Sequence, residues 1–289
     1  MRSEQQMLEL IVSTAKNDER VRAVIMNGSR VNPNVRRDIF QDFDIVYVVT
    51  DVNSFSNDHT WINRFGELMI LQTPEAMGEP PSLRDWRFSY LMQFSDGNRI
   101  DLTLVSVARF PGSTKDSLSC LLLDKDGIVE PFPAPEERDY LPEPPTTKAF
   151  FDCCNEFWWV CPYVAKGVWR EELTYAKHFL DSVLREQLMT MLTWYVGVKT
   201  QFSRNPGYLG KYLEDNLEPE LWAMLKKTYS DADYENIWDA LYMMSDLFRL
   251  VATNVAEHFG FEYPQSDDAK VSAHLKHVRS LPKDAQSLY

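Results

Sequence analysis

The sequence predicts an α+β (or α/β) N-terminal domain, a β-sheet with flanking helices, followed by an all-α helical bundle domain. Three observations carry this. Short apolar runs and a hairpin signal fall in the first 130 residues, where the period is that of strands. The second half repeats its apolar residues at steps of three and four. Between them, six prolines fall from Pro131 to Pro145 among several acids, which favours an extended, semi-rigid connection. The domains are therefore placed at residues 1–135 and 146–289, with a proline-rich linker at 136–145.

Residues 3–17 read as an amphipathic helix, with Met7, Leu8, Ile11 and Ala15 on one stripe and Ser3 with Gln6 as a capping box. Residues 21–26 are a short apolar strand ending at the turn signal Asn27-Gly28. Residues 29–41, with three arginines and Asn32-Pro33, read as a loop, and residues 42–50 as the second strand. A helix over 57–65, a strand over 68–72 and a proline-rich loop over 74–83 follow. Asp96-Gly97 between two alternating runs, 86–94 and 98–106, is a strong hairpin signal. A further β pattern covers 118–123.

Beyond the linker, residues 147–163 form an aromatic-rich helix. Residues 169–202 read as one long helix broken by Asn205-Pro206-Gly207. Further helices are expected over 208–215, 218–229 and 231–258, the last capped by Gly260. The tail from Asp267 is expected to be a mobile helix.

The composition narrows the function classes. Of 289 residues, 44% are hydrophobic and 13% aromatic, which suits packed cores rather than disorder. A net charge of −13 argues against a nucleic-acid partner, which needs clustered Lys and Arg, and favours a cationic one. The four cysteines lack CxxC spacing, so they read as reduced thiols packed as small hydrophobes. A signal peptide and a membrane span are not expected, which places the chain in the cytoplasm, with a monomer as the expected state. The five histidines form no nucleophile arrangement with Ser or Cys, and Walker and dinucleotide glycine motifs are missing.

The chemistry concentrates in residues 27–50 and at Asp101. Alternate side chains of a strand share a face, so Asp42 and Asp44 point one way while Phe43 and Ile45 point the other. On the second hairpin arm Ile100, Leu102 and Leu104 take one face and Arg99, Asp101 and Thr103 the other. Three strand carboxylates beside a Gly28-Ser29 turn point to a divalent-metal site of the kind that Mg2+ occupies with substrate phosphates. Gly28, Ser29 and the adjoining Arg30 are the candidates to hold the phosphates of a triphosphate. Lys199 and Lys211, near Gly197 and Gly210, are further candidates. Asp101 is the leading candidate for the base that takes the acceptor's proton, ahead of Glu79 and Glu156.

These residues resemble a known family. Gly28-Ser29, twelve residues, then Asp42-Phe43-Asp44-Ile45 is similar to the signature of the DNA polymerase β-like nucleotidyltransferases. Asn27-Gly-Ser-Arg-Val-Asn-Pro-Asn34, Gln41-Asp-Phe-Asp-Ile-Val-Tyr47, Asp96-Gly-Asn-Arg-Ile-Asp-Leu-Thr103 and Tyr163-Val-Ala-Lys-Gly167 resemble the bacterial aminoglycoside 6-adenylyltransferases. The resemblance implies a nucleotidyltransferase-type mixed sheet, metal binding at Asp42, Asp44 and Asp101, and transfer of AMP from ATP to the 6-hydroxyl of streptomycin with release of pyrophosphate. The residues alone also admit another small hydroxylated acceptor, or a nucleotide-binding regulatory protein of the same fold. In the helical half, Glu156, Trp159, Lys166 and Arg170 are the candidate contacts to a guanidinium-bearing antibiotic.

Overall fold

A computed structural model describes residues 1–110 and 116–289. The chain forms two compact units, Met1–Asp139 and Tyr140–Tyr289.

The first unit opens with α1 (Glu4–Lys16), whose Ser3–Gln6 capping box forms as expected. Strands β1 (Val21–Asn27), β2 (Phe43–Val49), β3 (Leu68–Gln72), β4 (Arg87–Phe94), β5 (Arg99–Ser106) and β6 (Ser119–Asp124) make one sheet in the order β3-β4-β5-β2-β1-β6. The β2–β5 pair is parallel and the other neighbours are antiparallel. The expected helix over 57–65 is instead a short α2 (Asn53–Ser56) and a 3-10 segment, His59–Phe65. The Asp58 side chain accepts from the Thr60 N–H and restarts the helix there.

The sheet's two faces differ. On one, Met7, Ile11 and Ala15 of α1, with Phe55, Trp61, Ile62 and Phe65, cover Phe43, Ile45, Tyr47, Leu102 and Leu104. Tyr47 and Tyr90 keep their hydroxyls satisfied by donating to the carbonyls of Ile11 and Phe55. On the other face Ala23, Ile25, Val46, Val48 and Val105 pack under Phe110, Ile128, Val129 and Phe132. That smaller cluster stops short of the N-terminal ends of β2 and β5. Polar side chains there remain uncovered by it.

The second unit contains α3 (Thr147–Trp169), α4 (Leu173–His178), α5 (Arg185–Thr200), α6 (Leu213–Asn216), α7 (Pro219–Lys227), α8 (Tyr234–Phe259) and α9 (Gln265–Ser280). Its core includes Phe157 stacked on Phe248, with centroids 3.8 Å apart. Cys153, Cys154 and Cys161 are unbridged and buried there, and burial pushes the Cys153 thiol up to about 12. The helix expected over 169–202 is interrupted twice. Glu171 adopts a φ of +59°, ending α3, and a π-helical stretch, Phe179–Leu184, joins α4 to α5. Residues 208–215 are a 3-10 turn and the short α6 rather than one helix, because Leu209 sits at φ +53°. The tail is not loose. Leu275 and Val278 of α9 are in the core, and Asp268, 1% exposed, accepts from Arg249, Tyr263 and Ser272. Among the described residues, no helix is long and apolar enough to cross a membrane.

Candidate active site

The polar end of the sheet is built by register. Asn27 pairs with both Asp44 and Ser119, and Asp44 pairs with Asp101. Paired residues point the same way, so Ser119, Asn27, Asp44 and Asp101 form a row across four adjacent strands. The Ser119 hydroxyl donates to Asn27 Oδ1 at 2.9 Å, fixing the end of the row. Asp42 lies two residues before Asp44 and shares its side.

After Asn27 the chain turns sharply through a 3-10 segment, Gly28–Arg30. Gly28 has φ +75° and donates its N–H to the Leu118 carbonyl. A Cβ at this position would lie 2.2 Å from Asp44 Oδ2. The glycine is thus required by the close approach of the Asp44 carboxylate as well as by its φ. With the Gly28 N–H engaged, the Ser29 hydroxyl and the N–H groups of Ser29 and Arg30, which begin a helical turn, are among the donors this corner offers.

Arg30 is buried within the turn. It is 8% exposed, stacks 3.7 Å over Phe43, and donates to the carbonyls of Asp42 (2.9 Å) and Gln41 (2.5 Å). It ties the turn to the start of β2 and so places Asp42.

The cation that does reach the carboxylates is Arg99. Its Nε and a terminal nitrogen bond both Asp101 oxygens at 2.8 and 2.9 Å, and Nε lies 3.5 Å from Asp42 Oδ2. Burial, then the charges of Asp101 and Asp42, push the Asp44 carboxyl up to about 6. Burial also raises Asp42, against the pull of Arg99. Among the described residues no three His, Cys, Asp or Glu side chains converge as a metal cage. The donor set nonetheless fits a hard divalent cation: three carboxylates on adjoining strands, one of them raised by burial and by the other two.

Sequence reasoning missed Arg99 as a partner of these acids, although its position two before Asp101 on one strand face was the available signal. It also missed Glu75, which accepts from the Ser89 N–H and hydroxyl at 2.9 Å on the strand beside Asp101. No local pattern announced that contact. Glu79 is exposed in the loop after it.

The remaining candidates belong to the second unit. Glu156, Trp159, Lys166 and Arg170 lie at helical steps along one stripe of α3, but Glu156 and Arg170 are about 21 Å apart along it. Glu156 lines a hollow of about 580 Å³ with Asp152, Gln187, Thr190 and Trp194. Lys166 and Arg170 line another, of about 450 Å³, with Tyr163, Trp169, His274 and Leu281. Trp159 is 63% exposed, 6.5 Å from Tyr163. Lys199 lies 3.7 Å from Glu218, whose carboxylate also accepts from Tyr195, and Lys211 is exposed beside Tyr212.

The sequence matches the streptomycin adenylyltransferase family over residues 1–278. The chain belongs to that family. Relatives named aminoglycoside 6-adenylyltransferase include one from Bacillus subtilis (strain 168), 39% identical over 93% of this chain and 95% of the relative. Another, from Campylobacter jejuni, is 40% identical over 95% of each chain. A third, from Staphylococcus aureus, is 34% identical over 91% of this chain and 94% of its own. A crystal structure of an aminoglycoside 6-adenyltransferase from Bacillus subtilis covers 97% of this chain and 100% of its own at 33% identity, with a TM-score of 0.48. As a member of the streptomycin adenylyltransferase family, the protein is a nucleotidyltransferase, and its mixed sheet with flanking helices is the fold expected of one.

Proposed function

We propose that this enzyme transfers AMP from ATP to the 6-hydroxyl of streptomycin, releasing pyrophosphate, and that it does so in the cytoplasm as a magnesium-dependent monomer. The observation that carries the reading is the register of Asp44 with Asp101, with Asp42 alongside and the Gly28 turn closed against Asp44. This is an acid cluster on one sheet face, in a chain whose relatives bear the name aminoglycoside 6-adenylyltransferase.

Asp42, Asp44 and Asp101 would hold the magnesium ion, which when bound offsets charge on the transferring phosphoryl group. Asp101 accepts the proton of the attacking hydroxyl as its oxygen bonds to the α-phosphorus and the bond to the pyrophosphate oxygen breaks. Arg99 donates to both Asp101 oxygens and must loosen for that proton to arrive. Ser29 supplies a hydroxyl and an N–H to the polyphosphate, while Gly28 keeps the corner narrow. Arg30 serves by fixing Asp42 rather than by touching phosphate. Lys199 and Lys211 remain the helical unit's candidates for the polyphosphate.

Charge separates the candidate drug contacts. Asp152 and Glu156 in one hollow suit a guanidinium group, with Trp194 as a stacking surface. Lys166 and Arg170 repel one, so their role, and that of Trp159, is at most to frame the substrate. The test is pyrophosphate release from ATP and Mg2+ with a panel of aminoglycosides. Release with streptomycin, and a product carrying AMP on its 6-hydroxyl by NMR, is the expected result. Release with other acceptors but not streptomycin overturns the acceptor assignment, and nucleotide binding without release overturns the catalytic one.

A further inference from the structure

We propose that Arg99 is an internal counter-cation, a lock on Asp101 and Asp42 that a divalent cation must displace. The inference rests on reading Asp42, Asp44 and Asp101 as the cation site.

The geometry is specific. Arg99 and Asp101 are two apart on β5 and share its polar face, so the guanidinium lies over its own strand and meets both Asp101 oxygens with two parallel bonds. The same Nε reaches Asp42 at 3.5 Å. Among the described residues, these two acids are its ion-pair partners. Arg99 thus bridges carboxylates from two strands and stands where positive charge is most needed. It is also free to leave. Its side chain is 39% exposed and that of Asp42 37%, so the guanidinium can turn to water at little cost once another cation takes over.

The lock has a consequence for order of binding. A bare divalent cation must expel Arg99 with nothing to offer it. A cation carried in on a nucleotide brings phosphate oxygens that the released guanidinium can pair with bidentately. The nucleotide-free site therefore resists bare metal, and metal and nucleotide arrive together.

The test titrates Mn2+ into nucleotide-free protein and follows free Mn2+ by electron paramagnetic resonance, with circular dichroism to verify folding. The variants are Arg99→Gln, which removes charge and fork, Arg99→Lys, which keeps the charge without the fork, and Asp101→Asn. The expected result is Mn2+ affinity raised about tenfold in Arg99→Gln and raised in Arg99→Lys as well. If Arg99→Lys matches the wild type, its charge rather than its fork makes the lock, which supports the counter-cation; if Arg99→Lys binds Mn2+ more weakly than the wild type, the lock is overturned. If Arg99→Gln binds no tighter than wild type while Asp101→Asn loses binding, the lock is overturned and the cation site stands. If Arg99→Gln binds no Mn2+ at all, both readings fall.

Discussion

Alanine at position 28 should damage catalysis far more than stability. Two effects act there. A left-handed φ of +75° costs an alanine about 1–2 kcal/mol. The new Cβ would also meet Asp44 Oδ2 at 2.2 Å, where ordinary contact begins at 3.4 Å. Since interiors are close-packed, the carboxylate must withdraw by about 1 Å. A displacement of that size in reacting machinery is worth about 100-fold in rate. Gly127 supplies the control within the same unit: φ is +65°, and a Cβ there meets nothing within 4 Å. Gly127→Ala should therefore lose the same 1–2 kcal/mol in urea unfolding while keeping its turnover. Gly28→Ala should lose a comparable amount of stability and about 100-fold in kcat/KM for pyrophosphate release. If the two variants turn over alike, the packing of Gly28 against Asp44 does not matter to the reaction and the reasoning fails.

Asp44 makes a pH prediction. Its folded-state pKa, raised to about 6, lies above the unfolded value, so its contribution to stability is greatest below about pH 4 and is lost as pH rises through 6. Asp44→Asn should accordingly stabilise the metal-free protein at pH 7.5, by up to about 3 kcal/mol, with the gain gone near pH 4. A pH-independent difference in urea midpoints would contradict this. Asp101→Asn should lower kcat by at least about 100-fold with its far-UV circular dichroism unchanged, and near-normal turnover would remove Asp101 as the base. In the helical unit, burial pushes Asp268 up, but hydrogen bonds from Arg249, Tyr263 and Ser272 outweigh it and hold the carboxyl below its ordinary value. Asp268→Asn leaves the Arg249 charge without that partner and should cost about 3 kcal/mol in thermal or urea unfolding, against no measurable change if the pair is only decorative.

How far the sequence could be read depends on the range of the interaction involved. Asp42 and Asp44 were legible because strand period two is local, and Asp96-Gly97 because a two-residue turn fixes its hairpin. The face of Asp101 followed from the same alternation. Its register opposite Asp44 did not, because the two strands pair across a connection with no short-range geometry. Arg30 read as a phosphate ligand from its neighbours in sequence, yet its environment is set by Phe43 and by carbonyls eleven and twelve residues on. The end of α3 was illegible for another reason: Glu171 takes a positive φ that side chains other than glycine rarely adopt, so no residue type marked the break. The tail read as mobile because α9 is largely polar. Its anchoring through Asp268 is a tertiary contact with α8.

The parallel β2–β5 pair also bears on how the chain comes together. Asp44 and Asp101 are 57 residues apart, and the β3–β4 hairpin returns the chain along the sheet edge before β5 can dock on β2. Each acid is harmless in an isolated strand. They repel only when this long-range pairing closes, so the electrostatic penalty of the acid cluster falls on the step that docks β5 on β2 rather than on local strand or hairpin formation. Stopped-flow refolding without divalent cations should accordingly be slower at pH 7.5 than at pH 5.5, and Asp44→Asn should abolish the difference. Acid charge gathered on this sheet is then a kinetic burden on assembly, confined to the moment when β2 meets β5.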